Sequence, residues 1–578
     1  MGKKSLRANS TLFIIHYSER LSRPTSSQQK CIMRSYSYSS MITLSYLLQP
    51  HIFALFFLWI ITVIPAYLRF VYTIQLKEYR ADRLTDFFKT AQGHTFLLSY
   101  DVTGRLIFGL AVYTLLHGSL HPHAIYTIIL VIDAVILFRK TYLSGLPRPA
   151  ITKKAFFVVI AAVLLEELII STLHIHEGFF IIAMSRLLIV LLVTVIFNIP
   201  TVAVKKMYTH MASRKLTRYP HLVVIGVTGS YGKSSVKEFL AHILSQSNSV
   251  IKTPQNTNTE IGIAKFILAT DFAAAKYFVC EMGAYRVGEI GTISRMVKPT
   301  IGILTAISEQ HLALFGSLKQ TQRTKYELLR SIPGNGYVVT NSDNTYCTEF
   351  LHTLSAKSIE TFGLDKEYAP DFLITEVHAS LKGMRFQYSY GDKKWTIQTP
   401  VIGAHHATNI APAIMVARHE GMPMRDIIAA CESLPTNAHG SLQIFDANAA
   451  TIIDDHYNSN TTGFRSALDV LAAHPSERKR IVITRGMMEL GDKTREEHER
   501  MGEEIAFTAD ELIVISPDNY TALKDGVGIK YRTQVQLITE HDVLEKYVID
   551  ALGSDAVILI ENRLPDHIYA RIQEYKNK

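Results

Sequence analysis

The sequence predicts an α-helical membrane domain followed by two α/β domains, the first with a glycine-rich P-loop and the second Rossmann-like. Apolar stretches of membrane-spanning length are confined to the first 200 of the 578 residues, short apolar runs alternate with helical patterns from residue 221, and that alternation restarts near residue 439. We therefore expect a basic, serine-rich tail at 1–41, the membrane domain at 42–200, a basic linker at 201–220, and α/β domains at 221–436 and 437–578. The four scattered cysteines provide neither a disulfide framework nor a CxxC metal pair.

About five transmembrane helices are predicted in the N-terminal domain. The apolar stretches run over roughly 50–74, 95–117, 122–139, 155–174 and 178–199. Asp101 and Arg105 lie within the second stretch, four residues apart on one helical face, and Glu166 and Glu167 lie within the fourth. Charges at this depth face a bundle interior or a polar cavity. The alternative is that they lie near helix ends and extend to the membrane interface.

Basic residues are concentrated on alternate connections between these stretches. Segments 75–94 and 139–154 each contain at least four Lys and Arg, whereas 118–121 and 174–177 contain none. The positive-inside rule then places everything after residue 200 in the cytoplasm. We therefore expect a multi-pass protein of the cell membrane, with membrane lipid as a partner. Residues 1–220 contain 24 Lys and Arg against 9 Asp and Glu, and the remainder contains 36 against 42. Because the basic excess accompanies the apolar stretches, we attribute it to membrane topology and expect no binding to nucleic acid.

The N-terminal 40 residues conflict with this topology. They contain seven Lys and Arg, which should stay in the cytoplasm, whereas five spans place the N-terminus outside. An amphipathic targeting peptide is one explanation. A simpler hypothesis is that translation begins at Met41, and recovery of a peptide from residues 5–30 of the native protein would refute it.

A glycine-rich turn follows the first predicted strand of the α/β region, Leu222–Val227, and precedes a helix predicted from Ser234 to about Leu244. The turn matches the end of the P-loop pattern GxxxxGK[ST], with Val227 at the position of the first glycine. Backbone N–H groups in such a turn bind phosphate oxygens, while Lys233 would reach the β and γ phosphates and Ser234 would coordinate Mg²⁺. We assign the nucleotide to Thr228, Gly229, Ser230, Tyr231, Gly232, Lys233, Ser234 and Ser235. The alternative is a glycine-rich turn with a solvated lysine.

Further strands are predicted at 277–281, 301–305 and 337–340, and a second set at 451–455, 480–484, 511–515 and 556–561. Their alternation with helical patterns predicts two parallel sheets. Glu281 ends a strand at the carboxyl edge of the first sheet, where ligands bind in such folds. Its carboxylate suits Mg²⁺, and a solvated glutamate at a strand end is the alternative.

Seven more sequence blocks follow the P-loop in order: NTNTEIG from Asn256, EMGA from Glu281, FGS from Phe315, TKYELL from Thr324, GAHHATN from Gly403, DDHYNSN from Asp454 and MELGD from Met488. With the P-loop, these blocks cover about 222–500. They resemble the Mur ligase family of ATP-dependent amide-bond-forming enzymes. Within that family, the branch that adds D-alanyl-D-alanine is the most similar.

The resemblance implies roles for individual residues. It makes Lys233, Lys325 and His311 the catalytic set, with His311 a second Mg²⁺ ligand, Lys325 carbamylated near the metals, and Asn409 and Asp454 in contact with the nucleotide. The implied substrate contacts are Asn258, Thr259, Glu260, Asp455, Tyr457, Asn458 and Asn460. From the residues alone, the alternative for His311 is a hydrogen-bonded structural role, for Lys325 a solvated helix charge, and for Asn409 a helix cap. The alternative for the block from Asp454 to Asn460 is a turn rich in Asp and Asn.

The implied activity uses ATP and Mg²⁺ to convert a carboxylate into an acyl phosphate, which an amino acid or dipeptide then attacks through its amine. In peptidoglycan precursor synthesis, D-alanyl-D-alanine would be added to UDP-N-acetylmuramoyl-tripeptide. One alternative is the same chemistry on a lipid-linked cell-wall intermediate, because a membrane domain stands where the family has a sugar-binding domain. Another is a non-catalytic ATP-binding scaffold for cell-wall synthesis enzymes, weakly favoured by departures from the family pattern at His406 and Ser441.

Overall fold

The computed structural model describes residues 50–77, 79–89, 91–116, 122–145, 149–172, 186–308, 317–436, 442–456, 461–487, 490, 493–529 and 531–576. Two compact units make up the chain, Met1–Thr201 and Val202–Lys578. Both predicted α/β domains fall in the second unit. The boundary expected between them, at 436/437, adjoins residues 437–441, which lie outside the described ranges.

The described part of the first unit is α-helical. Its helices are α1 (Pro50–Leu76), α2 (Ala81–Lys89), α3 (Ala91–Leu97), α4 (Arg105–Leu116), α5 (Pro122–Ser144), α6 (Lys153–Thr172) and α7 (Arg186–Leu216), which continues into the second unit. A π-helical turn, Tyr100–Gly104, precedes α4. The five predicted stretches overlap with α1, α4, α5, α6 and α7. Within the described ranges two segments, Phe56–Leu76 and Arg186–Leu216, are long and apolar enough to cross a membrane by length and composition.

The first unit has charged side chains in its interior and apolar ones on its surface. Asp101, Arg105 and Glu166 are 8%, 1% and 0% exposed, as expected for charges that face a bundle interior, whereas Glu167 is exposed. Asp101 and Arg105 are held by charged partners on other helices, which the spacing of four residues could not reveal. Large apolar side chains on the same helices are more than 50% exposed, among them Phe57, Ile107, Phe138, Phe156, Leu164, Leu188 and Leu192.

The second unit begins with a sheet of nine strands: β1 (Val223–Thr228), β2 (Val250–Lys252), β3 (Tyr277–Glu281), β4 (Ile301–Leu304), β5 (Tyr337–Asn341), β6 (Ser358–Gly363), β7 (Phe372–Ser380), β8 (Gly383–Tyr390) and β9 (Lys393–Thr399). Their spatial order is β2-β3-β1-β4-β5-β6-β7-β8-β9. Neighbours from β2 to β7 are parallel, and β7, β8 and β9 are antiparallel.

Helices cover both faces of this sheet. They are α8 (Lys233–Ser245), α9 (Glu260–Ala269), α10 (Glu289–Val297), α11 (Leu318–Ser331), α12 (Thr345–Thr348), α13 (His406–His419) and α14 (Met424–Glu432). One apolar core joins α8, α13 and α14 to the sheet, and another joins α9, α10 and α11 to its other face. Because both faces are covered, the central strands are apolar along their whole length, which explains why the sequence pattern identified them.

A second sheet of six strands follows: β10 (Gln443–Ala447), β11 (Ala450–Asp455), β12 (Lys479–Thr484), β13 (Glu511–Val514), β14 (Gln534–Leu537) and β15 (Ala556–Glu561). Its order is β10-β11-β15-β12-β13-β14, parallel except for β10. The helices between its strands are α15 (Thr461–Ala472), α16 (Thr494–Thr508), α17 (Pro517–Val527), α18 (His541–Leu552) and α19 (Asp566–Lys576).

The prediction of α/β sheets built mainly from parallel strands is confirmed. The prediction missed β2, β6, β10 and β14, each of which is largely half-exposed or exposed. Strands with such mixed burial do not form the continuous apolar runs that reveal buried strands.

Candidate active site

The β1–α8 turn forms the base of the candidate site. Gly229 and Gly232 have φ values of +154° and +78°. A Cβ atom on Gly229 would lie 1.9 Å from Thr305 Oγ1, and one on Gly232 would lie 2.3 Å from Asn409 Oδ1. The turn therefore needs glycine at both positions, and the chain can bend closely enough to point its N–H groups at a phosphate.

Lys233 and Ser234 begin α8 directly after this turn. The Lys233 ammonium donates to the carbonyl oxygen of Ser230 (2.9 Å), and the Ser234 hydroxyl donates to Glu281 Oε2 (3.0 Å). Burial lowers the pKa of Lys233, and the negative charge of Glu281 raises it in part. The lysine is thus folded back over its own loop, next to the carboxylate at the end of β3.

Glu281 is 4% exposed, so it is not a solvated residue at a strand end. Lys237 donates to its Oε2 (3.2 Å) and Asn258 donates to its Oε1 (3.2 Å). Burial alone would raise the pKa of Glu281, but the charges of Lys237 and Lys233 and these hydrogen bonds lower it below its usual value. Glu281 is therefore an anion over the whole physiological pH range.

Lys237 is a site residue that the sequence analysis missed. It lies on α8 and is 1% exposed. The available signal was a lysine one helical turn after Lys233, on the face of α8 that the helical pattern assigns to the core. A buried lysine needs a counter-ion, and the glutamate at the end of the neighbouring strand provides it.

Lys325 lies on α11 and is 2% exposed, which contradicts the interpretation of a solvated helix charge. Burial and the positive charge of Lys233 lower its pKa to about 7, although Glu289, Glu327 and Glu281 act in the opposite direction. Since Lys233 and Glu281 affect its titration, the Lys325 amine belongs to the same charged group. Near neutral pH a large fraction of this amine is uncharged and nucleophilic.

A cavity of about 240 Å³ adjoins the P-loop and is lined by residues of α13 from the first sheet's helices and of α15 from the second sheet's helices. It is lined by Tyr231, Asn341, Asp343, Asn409 and Thr462, among others, and its size is close to the smaller ligand pockets of proteins, about 300 Å³. The Tyr231 and Thr462 side chains both line it, so the first turn of α15 closes the cavity against the loop.

Asn409 is not the cap of α13, because that helix begins three residues earlier, at His406. Its amide nitrogen lies 3.2 Å from His406 Nδ1, while its amide oxygen faces Gly232. Burial lowers the pKa of His405 to about 4 and that of His406 well below its usual value. Both imidazoles are neutral, so this side of the cavity carries no positive charge near neutral pH.

The remaining P-loop side chains are held by the protein itself. The Thr228 hydroxyl donates to the Met282 carbonyl oxygen (2.9 Å), and the Ser230 hydroxyl accepts from the Ser308 amide (3.0 Å). Ser235 is buried at 5% and lines the cavity. Thr228 and Ser230 therefore fix the shape of the loop, and so does the Ser230 amide, which donates to the Ala306 carbonyl oxygen (2.7 Å).

Two carboxylates end β11 in the second sheet. Asp454 is 4% exposed and accepts from Tyr569 (2.7 Å) and from the ring of His456 (2.6 Å). Burial and the neighbouring Asp454 charge raise the pKa of Asp455 above its usual range. The next described residue after His456 is Thr461, at the start of the helix that lines the cavity.

The predicted substrate residues near Glu281 have distinct surroundings. Asn258 contacts Glu281, as above, and its carbonyl oxygen accepts from the Gly283 amide (2.8 Å). Thr259 is exposed and caps α9 by accepting from the Gly262 amide (3.3 Å). Burial raises the pKa of Glu260 at the start of the same helix.

Several predicted site residues lie outside the described ranges. They are His311, Tyr457, Asn458 and Asn460, together with Ser441 among the departures from the family pattern.

The donors present fit a magnesium ion. Ser234 Oγ and Glu281 Oε2 are oxygen ligands 3.0 Å apart at the end of the P-loop. Mg²⁺ typically takes one or two carboxylates, substrate phosphates and several waters. In the described ranges no group of three or more His, Cys, Asp or Glu side chains forms a metal site, so a softer, all-protein metal centre has no support there.

Comparison with known proteins agrees with this geometry. Residues 227–417 match the Mur ligase middle domain, and residues 442–561 match the glutamate ligase domain of Mur ligases. The UDP-N-acetylmuramoyl-tripeptide--D-alanyl-D-alanine ligase of Escherichia coli (strain K12) is 28% identical over 333 residues, which are 57% of this chain and 73% of the relative. The enzyme of the same name from Mycobacterium tuberculosis (strain ATCC 25618 / H37Rv) is 30% identical over 287 residues, 49% of this chain, and the match spans only 56% of that relative.

Solved structures show the same fold. MurF from Acinetobacter baumannii superposes with a TM-score of 0.57 at 24% identity, covering 65% of this chain and 81% of that one. The MurF ligase from Thermotoga maritima in complex with ADP gives a TM-score of 0.56 at 24% identity, covering 64% and 83%. The chain therefore belongs to the Mur ligase family, with its middle domain at residues 227–417 and its C-terminal ligase domain at residues 442–561.

Proposed function

We propose that this protein is an ATP-dependent ligase of peptidoglycan precursor synthesis that joins D-alanyl-D-alanine to UDP-N-acetylmuramoyl-tripeptide. The observation that carries the proposal is the group formed by Lys233, Ser234, Glu281 and Lys325 at the carboxyl end of β1 and β3. The names of the relatives above supply the substrate class, which extends to this chain as part of the proposal.

ATP would bind with its phosphates on the β1–α8 turn and its base in the cavity next to Asn409. Magnesium held by Ser234 and Glu281 would offset phosphate charge during transfer to the substrate carboxylate. Lys233 would leave the Ser230 carbonyl and contact the transferred phosphate, which places a preorganised cation where negative charge develops. The product of this step is an acyl phosphate and ADP, and the amine then displaces phosphate to form the amide.

Lys325 supports this proposal because its environment suits carbamylation. Formation of a carbamate requires an uncharged amine, and the pKa of Lys325 is about 7. The carbamate would replace a desolvated cation with an anion close to Lys233 and to the bound metals. We assign His311 to the same metals and Asn258, Thr259 and Glu260 to the substrate side of the site.

The second sheet would complete the site. Thr462 lines the same cavity as Tyr231 of the P-loop, and Asp454 and Asp455 end the strand that precedes α15. We place the boundary between the two ligase domains at 436/437, and assign Tyr457, Asn458 and Asn460 to the segment that meets the substrates. A closed arrangement would keep water away from the acyl phosphate.

The test is release of ADP and phosphate by the detergent-solubilised full chain supplied with D-alanyl-D-alanine and UDP-N-acetylmuramoyl-tripeptide. We expect release to require both substrates and mass spectrometry to show the pentapeptide product. Lys233→Met should abolish turnover, while Lys265→Met, which changes an exposed lysine on α9, should leave it unchanged. ATP binding without turnover on any carboxylate substrate would contradict the ligase and favour an ATP-binding scaffold.

We also propose that the first unit is a multi-pass membrane domain with residues 202–578 in the cytoplasm. Its buried ion pairs and exposed large apolar side chains are the reverse of the pattern in a water-soluble bundle, because lipid contacts apolar side chains and intramembrane charges pair inside. The long helices α1 and α7 meet the length and composition of a span. The protein should stay in the membrane pellet after carbonate extraction, and release into the supernatant would refute this.

A second candidate keeps the chemistry but takes a lipid-linked acceptor. It is favoured by the 226 residues that precede the match to the middle domain, because their described part buries paired charges within an apolar core. Turnover with a lipid-linked peptide acceptor, but not with the soluble nucleotide substrate, would select this candidate.

A further inference from the structure

The two ends of the charged interior of the first unit differ in how completely the charges are compensated. Glu166 accepts hydrogen bonds from Trp59 Nε1 (2.9 Å), the Tyr67 hydroxyl (2.6 Å) and Arg186 Nε (3.1 Å). Three donors satisfy this carboxylate, so this end of the interior holds α1, α6 and α7 together and has no need of a ligand.

The other end has a surplus of positive charge. Arg105 pairs with Asp133, yet its Nη1 has no hydrogen-bond partner in the part of the chain that the structure describes, although the residue is 1% exposed. Arg69 lies 3.4 Å from Asp101, longer than a usual charge-assisted hydrogen bond. Its Nε likewise has no partner among the described residues. Lys140 also pairs with Asp101, and Arg186 lies 3.9 Å from Asp133 as well as pairing with Glu166, so among these side chains four cations face three carboxylates.

The backbone at this end is unusual as well. The π-helical turn Tyr100–Gly104 contains Asp101 and ends immediately before Arg105. Such turns are rare and occur frequently at functional sites. Here the turn directs both charged side chains into the interior. A buried guanidinium N–H without an acceptor costs free energy that a bound anion would recover.

We propose that Arg69, Arg105 and Lys140 form a binding site for a phosphate group carried by a membrane lipid. Guanidinium groups match phosphate oxygens through their forked N–H donors, and the unpaired Nε and Nη1 atoms are such donors. Lys140 is 39% exposed, and it gives the site an opening at the surface of the unit.

A lipid is the favoured source because the helices that carry the site have an apolar surface. Phe138 on α5 is 74% exposed, and Ile107 on α4 is 69% exposed. Acyl chains would contact this apolar surface of the unit while the headgroup contacts the cations. The inference rests on the proposed membrane insertion and not on the ligase chemistry, and carbonate extraction tests that insertion separately from lipid binding.

The experiment is native mass spectrometry of the full chain in a neutral detergent with dioleoyl phosphatidic acid, dioleoyl phosphatidylcholine or inorganic phosphate. We expect a specific complex with phosphatidic acid and at least tenfold weaker binding of phosphatidylcholine. Lys140→Gln should weaken binding of phosphatidic acid about tenfold, the loss expected for one charge-assisted contact. Arg139→Gln is the matched control, because Arg139 is the adjacent residue on α5 and is exposed; its affinity should change less than twofold.

The other outcomes are equally definite. Equal losses in Lys140→Gln and Arg139→Gln would show attraction to surface charge and overturn the site, as would equal binding of both lipids. Binding of inorganic phosphate with the same dependence on Lys140 would support the phosphate site and assign it to a soluble phosphate. If Arg105→Gln lowers the helical circular dichroism signal while Lys140→Gln leaves phosphatidic acid binding intact, the cations only hold the bundle together and the proposal is wrong.

Discussion

Replacement of Lys325 by methionine should stabilise the second unit while removing ligase activity. The amine is almost completely buried and its pKa falls from 10.5 in an exposed chain to about 7. At pH 8 the folded amine is mostly neutral, so folding has to remove a proton from a lysine whose pKa in the unfolded chain lies about 2.5 units above the pH. At 1.36 kcal/mol per unit this costs about 3 kcal/mol, which the methionine side chain avoids.

The pH dependence fixes the sign of the effect. Between about pH 7 and pH 10.5 the unfolded chain binds the proton and the folded chain does not, so the free energy of unfolding of the native protein rises with pH in this window. Below pH 7 both states are protonated and the full penalty, about 5 kcal/mol, is present. The advantage of Lys325→Met should therefore shrink from about 5 kcal/mol at pH 6 to less than about 1 kcal/mol at pH 10.

The chain contains two tryptophans, Trp59 and Trp395, so urea unfolding in a Trp59→Phe background reports on Trp395 in the first sheet of the second unit. Buffers should be free of carbon dioxide, since a carbamate would remove the penalty. Lys319→Met, at an exposed position of the same helix, should change the free energy of unfolding by less than about 0.5 kcal/mol. A Lys325→Met variant that is less stable than the native protein at every pH would refute the reasoning.

Three further predictions concern the nucleotide site. Gly232→Ala would bring a methyl group to 2.3 Å from Asn409 Oδ1 at a φ of +78°, so ATP affinity should fall at least tenfold. A fluorescent ATP analogue measures this affinity, and an unchanged value would show that the turn is not the phosphate site. Lys237→Met removes one of the two lysine charges that lower the pKa of Glu281, so the pKa of the carboxyl should rise and the Mg²⁺ dependence of turnover should shift to higher pH. An unshifted profile would argue against Glu281 as a ligand. Tyr231→Phe removes a hydroxyl from the lining of the nucleotide cavity, and we expect KM for ATP to rise about threefold to tenfold, the loss of one hydrogen bond, with the fold unchanged by circular dichroism. An equal KM would show that the Tyr231 hydroxyl does not contribute to ATP binding.

The sequence determined the sheet class and the place of the phosphate loop because both depend on local patterns. Apolar runs followed by helical periodicity identify strands that are buried on both faces, and the turn at Gly229 and Gly232 is specified by residues that tolerate positive φ. Partly exposed strands such as β2 and β14 lack that pattern, so the sequence could not reveal them.

Burial and charge pairing were decided by the tertiary structure alone. The sequence shows lysines at positions 233, 237 and 325, but not that Lys237 pairs with Glu281 or that burial lowers the pKa of Lys325 to about 7. These properties depend on side chains from β3, α8 and α11 meeting at one edge of the sheet, far apart in the chain. The same holds for Arg105, since its spacing from Asp101 suggested a shared face while packing of the helices gave it Asp133 as partner. Local periodicity fixes which face a residue occupies, whereas desolvation and Coulomb interaction depend on what the rest of the chain brings to that face.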